Sequence, residues 1–330
     1  MQYSDRLYGT AQITEPVIID LVKSNALQRL KGIDQAGYFE VFLPASSHSR
    51  FEHSLGVYIL LKKYGAPLEE QIAGLIHDVS HSAFSHCIDY VFGAEKQKTH
   101  RHQDSLFSDF VAKSDIPTIL HKYSINLSYI LNERHFPLKE KELPDLCADR
   151  IDYSLRTAVV YKVITNKELH YFFHHLQTLK NQWIFDSYSS AQKYAHLFRT
   201  LNDEYYSGLP SITMFYTVGQ YVKYALSKKY TNWQELYTTD KKVLKKINKH
   251  LSEDIHLQRL WNRMNNRIKV VCDLKNYETV VYCKSRLVDP WYLENKKIQR
   301  ISDKNPKWKT IIETEGKPKK YYLRFIDGDR

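Results

Sequence analysis

A mainly α-helical fold with a small α/β lobe at its C-terminal end is what this 330-residue sequence predicts. Three observations point there. Apolar residues recur at helical spacing through most of the first 245 positions. β-Branched, extended stretches are confined to the region after about residue 268. Gly and Pro stand at the joints, as at Gly65, Pro67 and Gly208-Leu209-Pro210. The division expected is a helical core over 1–245 and a basic α/β lobe over 246–330.

Taken in order, residues 1–15 carry turn formers and read as irregular chain. A helix follows over 17–33, where Val, Ile and Leu repeat at three- and four-residue steps. Residues 37–49 read as a short extended piece and a loop. The next helix runs to Gly65. Pro67 opens another, with Glu69 and Glu70 in the first turn, where negative charge complements the helix dipole. That helix is expected to continue through His81, which puts His77 and His81 on one face. Further helices are expected at 103–113, 116–132, 142–161, 168–180 and 188–230, the last broken at Gly208-Leu209-Pro210. Strands are expected within 268–274 and 278–288. A charged tail with turn signals then closes on Tyr321–Ile326.

Hydrophobic residues at 43% and aromatic residues at 13% exclude a disordered chain, and the length allows a large core. The 25 tyrosines suit clefts and subunit contacts, although most are accounted for as composition. The four cysteines, Cys87, Cys147, Cys272 and Cys283, form no CxxC pair, and no signal peptide opens the chain, so a reduced cytoplasm is expected. Tyr58–Leu61 meets Lys62-Lys63, and no apolar run is long enough to span a bilayer. The net charge is +11, and residues 241–330 hold 23 Lys and Arg against 11 Asp and Glu. The terminal quarter thus carries the whole excess. A polyanion, nucleic acid among the options, and a merely solvated lysine-rich surface are equally good readings.

The chemistry is concentrated in two stretches. Arg50–Asp89 contains His53, the doublet His77-Asp78, His81 and His86; Ala148–Arg156 contains Asp149. Two imidazoles and two carboxylates form a mixed nitrogen and oxygen donor set that borderline divalent ions accept.

These motifs resemble the HD-domain metal-dependent phosphohydrolases, and within them the dNTP triphosphohydrolase branch that includes the SAM-and-HD-domain dNTPase. The resemblance is carried by Leu27–Gly37, FLPASSHSRFEHSLGV, HDVSHSAFSHCID and DRIDYSLR, and resumes at KSRLVDP and QRIS. It implies that His53, His77, Asp78 and Asp149 hold one divalent ion, with Mn, Fe, Mg, Ni and Zn all admissible. It places His81 beside the scissile phosphate and makes His102 the acid for the leaving oxygen, with His100 a rival. The branch follows that histidine with Glu and then Ser or Thr; here the run is His102-Gln103-Asp104-Ser105. Asp89 would orient one of these histidines, and His86 is either near the site or structural. Arg50 would meet a phosphate, Gln35 the sugar 3′-hydroxyl and Tyr153 the deoxyribose face. Arg150 and Asp152 read as packing ion pairs, and Arg156 as a support.

The resemblance implies a homo-oligomeric enzyme that converts dNTPs to deoxynucleoside and triphosphate. Two departures bear on that. Thr157 stands where the dNTPases carry an Asp on the 3′-hydroxyl. The Asp-Thr-Pro-x-Phe-Gln-Arg-Leu-Arg run of the nucleotide-activated members is here Lys23-Ser24-Asn25-Ala26-Leu27-Gln28-Arg29-Leu30-Lys31, so no GTP-activated switch of that type is expected. The alternatives are an HD phosphatase or phosphodiesterase acting on a nucleoside monophosphate, cyclic nucleotide or nucleic acid, and a non-catalytic nucleotide-binding module.

Overall fold

The structure is a computed structural model that describes residues 1–99 and 103–326. It is mainly helical, with small sheets toward the C-terminal end, as the sequence predicts. The opening turn formers close a hairpin of β1 (Gln2–Asp5) and β2 (Gly9–Gln12). The helix expected over 17–33 is split into α1 (Pro16–Lys23) and α2 (Asn25–Arg29), because Ser24 leaves helical geometry and its Oγ caps α2 by accepting from the Leu27 amide. Residues 37–49 contain a 3₁₀ turn at Phe39–Val41 and no strand, in place of the extended piece.

Next come α3 (Arg50–Lys63) and α4 (Leu68–Ile76). Ser49 and Glu52 form a reciprocal capping box at the start of α3, which fixes where Arg50 and His53 enter. Helix α4 stops at Ile76, so His77 and Asp78 lie in turns beyond it and the helix does not reach His81. Three-residue bonds replace the helical ladder there, from the Val79 amide to Ile76 and from the His81 amide to Asp78.

A 3₁₀ segment (Ser85–Val91) leads to α5 (Ala94–Thr99), α6 (Phe107–Ala112), α7 (Ile116–Lys122) and α8 (Leu127–Ile130). The long helices α9 (Ala148–Val160) and α10 (Asn166–His175) follow. The helix expected to reach residue 180 instead gives way to β3 (Leu176–Leu179) and β4 (Gln182–Phe185), joined by Lys180-Asn181, both at positive φ. The break at Gly208-Leu209-Pro210 falls as expected, between α11 (Tyr188–Leu201) and α12 (Leu209–Ser227).

The remainder comprises α13 (Asp240–Ile247), α14 (Ile255–Met264), β5 (Lys269–Cys272), β6 (Thr279–Cys283), β7 (Trp291–Glu294), β8 (Lys297–Arg300), α15 (Ile301–Lys304), α16 (Pro306–Glu315) and β9 (Lys319–Ile326). β9 lies between β5 and β6, antiparallel to both. β7 and β8 form a hairpin inside what reads in sequence as a charged tail. β7 also pairs in parallel with β4, Ile184 opposite Trp291, so one four-stranded sheet takes strands from either side of residue 245. No helix among the described residues is long and apolar enough to cross a membrane.

Helix α3 is the axis of the molecule. Val57, Leu60 and Leu61 pack toward α9, α10 and α11, with Trp183 and Trp308 in the same cluster. Leu55, Tyr58 and Ile59 pack toward α1, α2 and α4. A third cluster surrounds α12 and takes in Phe84, Tyr90 and the C-terminal strand residues Val281 and Leu323. Gly56 sets how closely α9 can cross α3. A Cβ at that position would stand 2.0 Å from Asp152 Oδ2 and 2.1 Å from an Arg156 nitrogen. Gly56→Ala is therefore expected to destabilise the fold by about 1–3 kcal/mol through overpacking. Urea unfolding checks this; a midpoint equal to wild type would contradict it.

Candidate metal centre

The centre is built from three places in the chain. His53 comes from the first turn of α3, His77 and Asp78 from the end of α4, and Asp149 from the first turn of α9. His53 Nε2 lies 2.9 Å from Asp149 Oδ1 and 3.2 Å from His77 Nε2. Asp149 Oδ1 is 3.4 Å from His77 Nε2, and the Asp78 oxygens are 3.5 Å from His77 and 3.8 Å from His53. Ligand atoms that share one ion at about 2.1 Å stand roughly 3.0–3.4 Å apart. Three of the four predicted ligands, His53, His77 and Asp149, are thus brought together at a spacing that suits a single cation, and Asp78 stands beside them with one oxygen on Arg50 and the other on His81.

The proton positions make the fit sharper. His53 Nδ1 is 2.8 Å from the Asp152 carboxylate, and His77 Nδ1 is 2.7 Å from the Gly74 carbonyl. Those oxygens can only accept, so each ring carries its hydrogen on Nδ1 and, when neutral, turns a bare Nε2 lone pair toward the other. Two lone pairs and two carboxylates around one point need a positive charge among them. In the metal-free protein a proton supplies it. Burial pushes His53 down, but Asp149 and Asp152 carry it up to about 9. His77 is likewise raised by Asp78 and Asp149 against burial. Despite burial, Arg50 and the histidines hold Asp78 well below the usual carboxylate range, and His53 and His77 do the same for Asp149.

Around the ligands lies a buried scaffold. Asp152 receives His53 Nδ1–H, two bonds from Arg156 at 2.9 Å each, and the Tyr8 hydroxyl at 2.9 Å. Arg156 reaches on to Asp5 at 3.1 Å. Asp152 is therefore part of the site and not only a packing ion pair. The signal was present in its spacing, since it sits three residues after Asp149 on the same helix face. Asp5 and Tyr8 carried no sequence signal, because the opening hairpin itself was not foreseen.

Arg50 is buried with all three guanidinium nitrogens engaged, by Asp78 at 2.6 Å, Ser85 Oγ at 2.8 Å and the Gln35 carbonyl at 3.2 Å. His81 Nε2 is 3.2 Å from Asp78, and its buried Nδ1 has no partner among the described residues. Burial and the Arg50 charge lower His81 to about 4, so at neutral pH it is uncharged with a free lone pair. Asp89 pairs with His86 at 3.3 Å, not with His81; the His86 ring stands edge-on to His81 at 5.2 Å. His102 and its rival His100 lie outside the described residues. Glu140, Cys147 and Asp149 also come within ligating distance of one another, but the Arg150 guanidinium occupies that side, 3.1 Å from Cys147 and 3.5 Å from Glu140.

A cleft adjoins the centre. His86 and Tyr153 form the shared wall; the Tyr153 ring centroid is 6.5 Å from that of His53. Gln35, His48, Tyr206 and Arg286 line it further out, and Thr157 is among its walls. Gln35, Tyr153, His86 and Thr157 thus meet at one cavity, while Arg50, His53, His77, Asp78, His81 and Asp149 meet beside it.

A family model described as "HD domain" matches residues 50–157, the stretch that carries the whole donor set. The chain belongs to the HD-domain metal-dependent phosphohydrolases. It is 33% identical over 291 residues to the uncharacterised protein YdhJ of Bacillus subtilis, covering 88% of each chain. It is 37% identical over 157 residues to the metal-dependent phosphohydrolase cns2 of Cordyceps militaris, a match spanning 48% of this HD-domain chain and 45% of that relative. A phosphohydrolase structure from Bacteroides thetaiotaomicron has the same fold, with a TM-score of 0.75 at 18% identity over 98% of this chain and 99% of the other.

Two outcomes follow for this HD-domain protein. Asp152→Asn keeps the shape but replaces the anion that fixes His53 Nδ1–H, and is expected to weaken divalent-metal affinity by about 10–100-fold in calorimetric titration. Because the ion must displace the proton held on His53, metal affinity should rise with pH and level off near 9. Affinity independent of pH between 6 and 9 would contradict the proton assignment.

Proposed function

We propose that this HD-domain phosphohydrolase acts on nucleotides, and that its substrates are dNTPs, converted to deoxynucleoside and triphosphate. The observation that carries the reading is the junction of the donor set with a walled cleft through His86 and Tyr153. Its aromatic wall, with Phe39, Tyr153, Tyr161, Tyr205 and Tyr206, suits a sugar or base ring. A bound divalent ion would lower the pKa of a water molecule and polarise a phosphoryl oxygen.

The rest falls to the chain's own groups. Arg50 contributes a fixed positive charge beside Asp78, where phosphate charge has to be accommodated. His81, uncharged and with Nδ1 bare, is suited to accept a hydrogen bond or proton, not to give one. The acid for the departing oxygen then falls to His102, or to His86, whose Nδ1 faces Asp89. Gln35 and Tyr153 line the cleft where a ribose would stand. Similarity to the deoxynucleoside triphosphate triphosphohydrolase SAMHD1 of Gallus gallus supports the substrate class; it is 25% identical over 193 residues, 50% of this chain and 31% of that one.

A second reading has one specific observation in its favour. Thr157 lines the cleft at the position where the resembling dNTPases carry a carboxylate, which loosens the grip on a 3′-hydroxyl and favours another phosphoester. The basic terminal quarter adds a possible nucleic-acid substrate, whose binding would fall steeply with salt. Self-association into an oligomer and residence in the cytoplasm belong to the same proposal.

Chromatography of the products formed from dNTPs, nucleoside monophosphates and cyclic nucleotides, with Mn²⁺, Fe²⁺, Mg²⁺, Ni²⁺ and Zn²⁺ in turn, tests the reading. Triphosphate together with a deoxynucleoside is expected. Orthophosphate released from monophosphates would select the second reading, and turnover retained by a His77→Ala, Asp78→Ala double variant would reject both.

A further inference from the structure

The segment 79–85 carries His81 and Ser85 past the metal ligands along a path that does not support itself. Phe84 and Ser85 both have positive φ, 61° and 45°. Neither is glycine, and each such residue costs about 1–3 kcal/mol unless its surroundings hold it there. Gln103 and Arg50 bond its serines from within residues 50–157, and further groups reach it from outside that stretch. Arg29 donates to the carbonyls of Val79 at 2.6 Å and His81 at 2.7 Å, and also to that of Thr238 at 3.3 Å. The Leu236 carbonyl accepts from the Ala83 amide at 2.7 Å.

Asp240, the first residue of α13, completes the grip. One carboxylate oxygen accepts from the Phe84 amide at 2.8 Å; the other accepts from the Asp34 amide at 2.8 Å. Its neighbour Thr239 packs so closely on Gly32 that a Cβ there would stand 2.6 Å from the threonine methyl. The residues on either side of this clasp are the ones that hold Arg50. Ser85 follows Phe84 and accepts from Arg50 Nε; its own hydroxyl donates to the Asp34 carbonyl at 2.6 Å. Gln35 follows Asp34 and accepts from Arg50 through its carbonyl.

We propose that Asp240 is a positioning residue for the reaction of this centre: by tying the loop at Asp34 to the loop at Phe84, it fixes the Arg50 guanidinium against Asp78. Arg50 is then aimed by a carboxylate 162 residues further along the chain than the Asp78 it faces. The contact stands on the geometry alone, while its effect on ligand affinity rests on the nucleotide reading given above.

The test compares Asp240→Ala and Asp240→Asn with wild type, all loaded with Mn²⁺. Metal content should be unchanged, because His53, His77 and Asp149 are held by Asp152, by the Gly74 carbonyl and by α9. Hydrogen exchange at the Asp34 and Phe84 amides should accelerate tenfold or more in the alanine variant and less in the asparagine variant, whose amide oxygen still accepts one bond. Exchange at Leu55 within α3 should not change. The Kd for inorganic tripolyphosphate should rise at least fivefold in Asp240→Ala and be partly restored in Asp240→Asn. Unchanged exchange at both amides overturns the proposal, as does an unchanged Kd despite faster exchange. Loss of metal from both variants also overturns it, since Asp240 would then be a general support. If wild type does not bind tripolyphosphate, the nucleotide reading fails, and amide exchange together with metal content still decides the clasp.

Discussion

Two imidazole nitrogens face one another at 3.2 Å with their hydrogens fastened on the far sides of the rings. Much of the structure serves to hold that unfavourable arrangement. His53 cannot rotate away, because α3 is enclosed between two core clusters and its Nδ1–H is bound to Asp152. His77 cannot turn either, because its Nδ1–H closes back on Gly74 in the last turn of α4. Without a positive charge between them the lone pairs repel. The arrangement persists because Asp149 approaches both rings, with Asp78 beside them, and together they make the place a well for a cation.

The surrounding charges are divided with some economy. Asp152 is neutralised by Arg156, which also answers Asp5, and Asp78 is shared between Arg50 and the histidines. Among the described residues Asp149 has no arginine on its ligating oxygen, only the two rings. Buried ion pairs are weak sources of stability, because desolvation offsets most of the attraction. Their worth here lies in direction. Arg156 aims a carboxylate that aims an imidazole, and Gly56 leaves the space in which that chain of contacts fits.

The donor set was legible because its residue types are uncommon together and sit in strongly apolar, helix-forming runs. Asp149, 71 residues beyond Asp78, could be tied to the doublet only by resemblance to a family. Periodicity located α3, α9 and the α11–α12 break well, since those segments are long and bounded by Gly and Pro. It failed where tertiary contacts override local preference. The helix before His77 stops at Ile76, where three-residue bonds replace its ladder and Arg29 binds the carbonyls of Val79 and His81 from outside. The β3–β4 and β7–β8 hairpins pair across more than a hundred residues, which no local pattern records. Asp89 was expected to orient one of the reacting histidines; among the described residues the structure pairs it with His86, a residue whose role the sequence left open, while His100 and His102 lie outside them.

The HD stretch supplies the ligands but not the whole site. Asp5 and Tyr8 reach in from the opening hairpin, Arg29 and Gln35 from the segment before α3, and Tyr206, Asp240 and Arg286 from beyond residue 200. The metal-binding function and the selection of a substrate are therefore written in different parts of the chain. Ligand identity at four positions constrains the first, because one changed donor leaves buried charge uncompensated. The cleft walls carry no such constraint, and a change such as threonine at position 157 alters what the cavity holds without touching the ion's ligands. Members of one HD family can in this way share a centre and differ in what they hydrolyse.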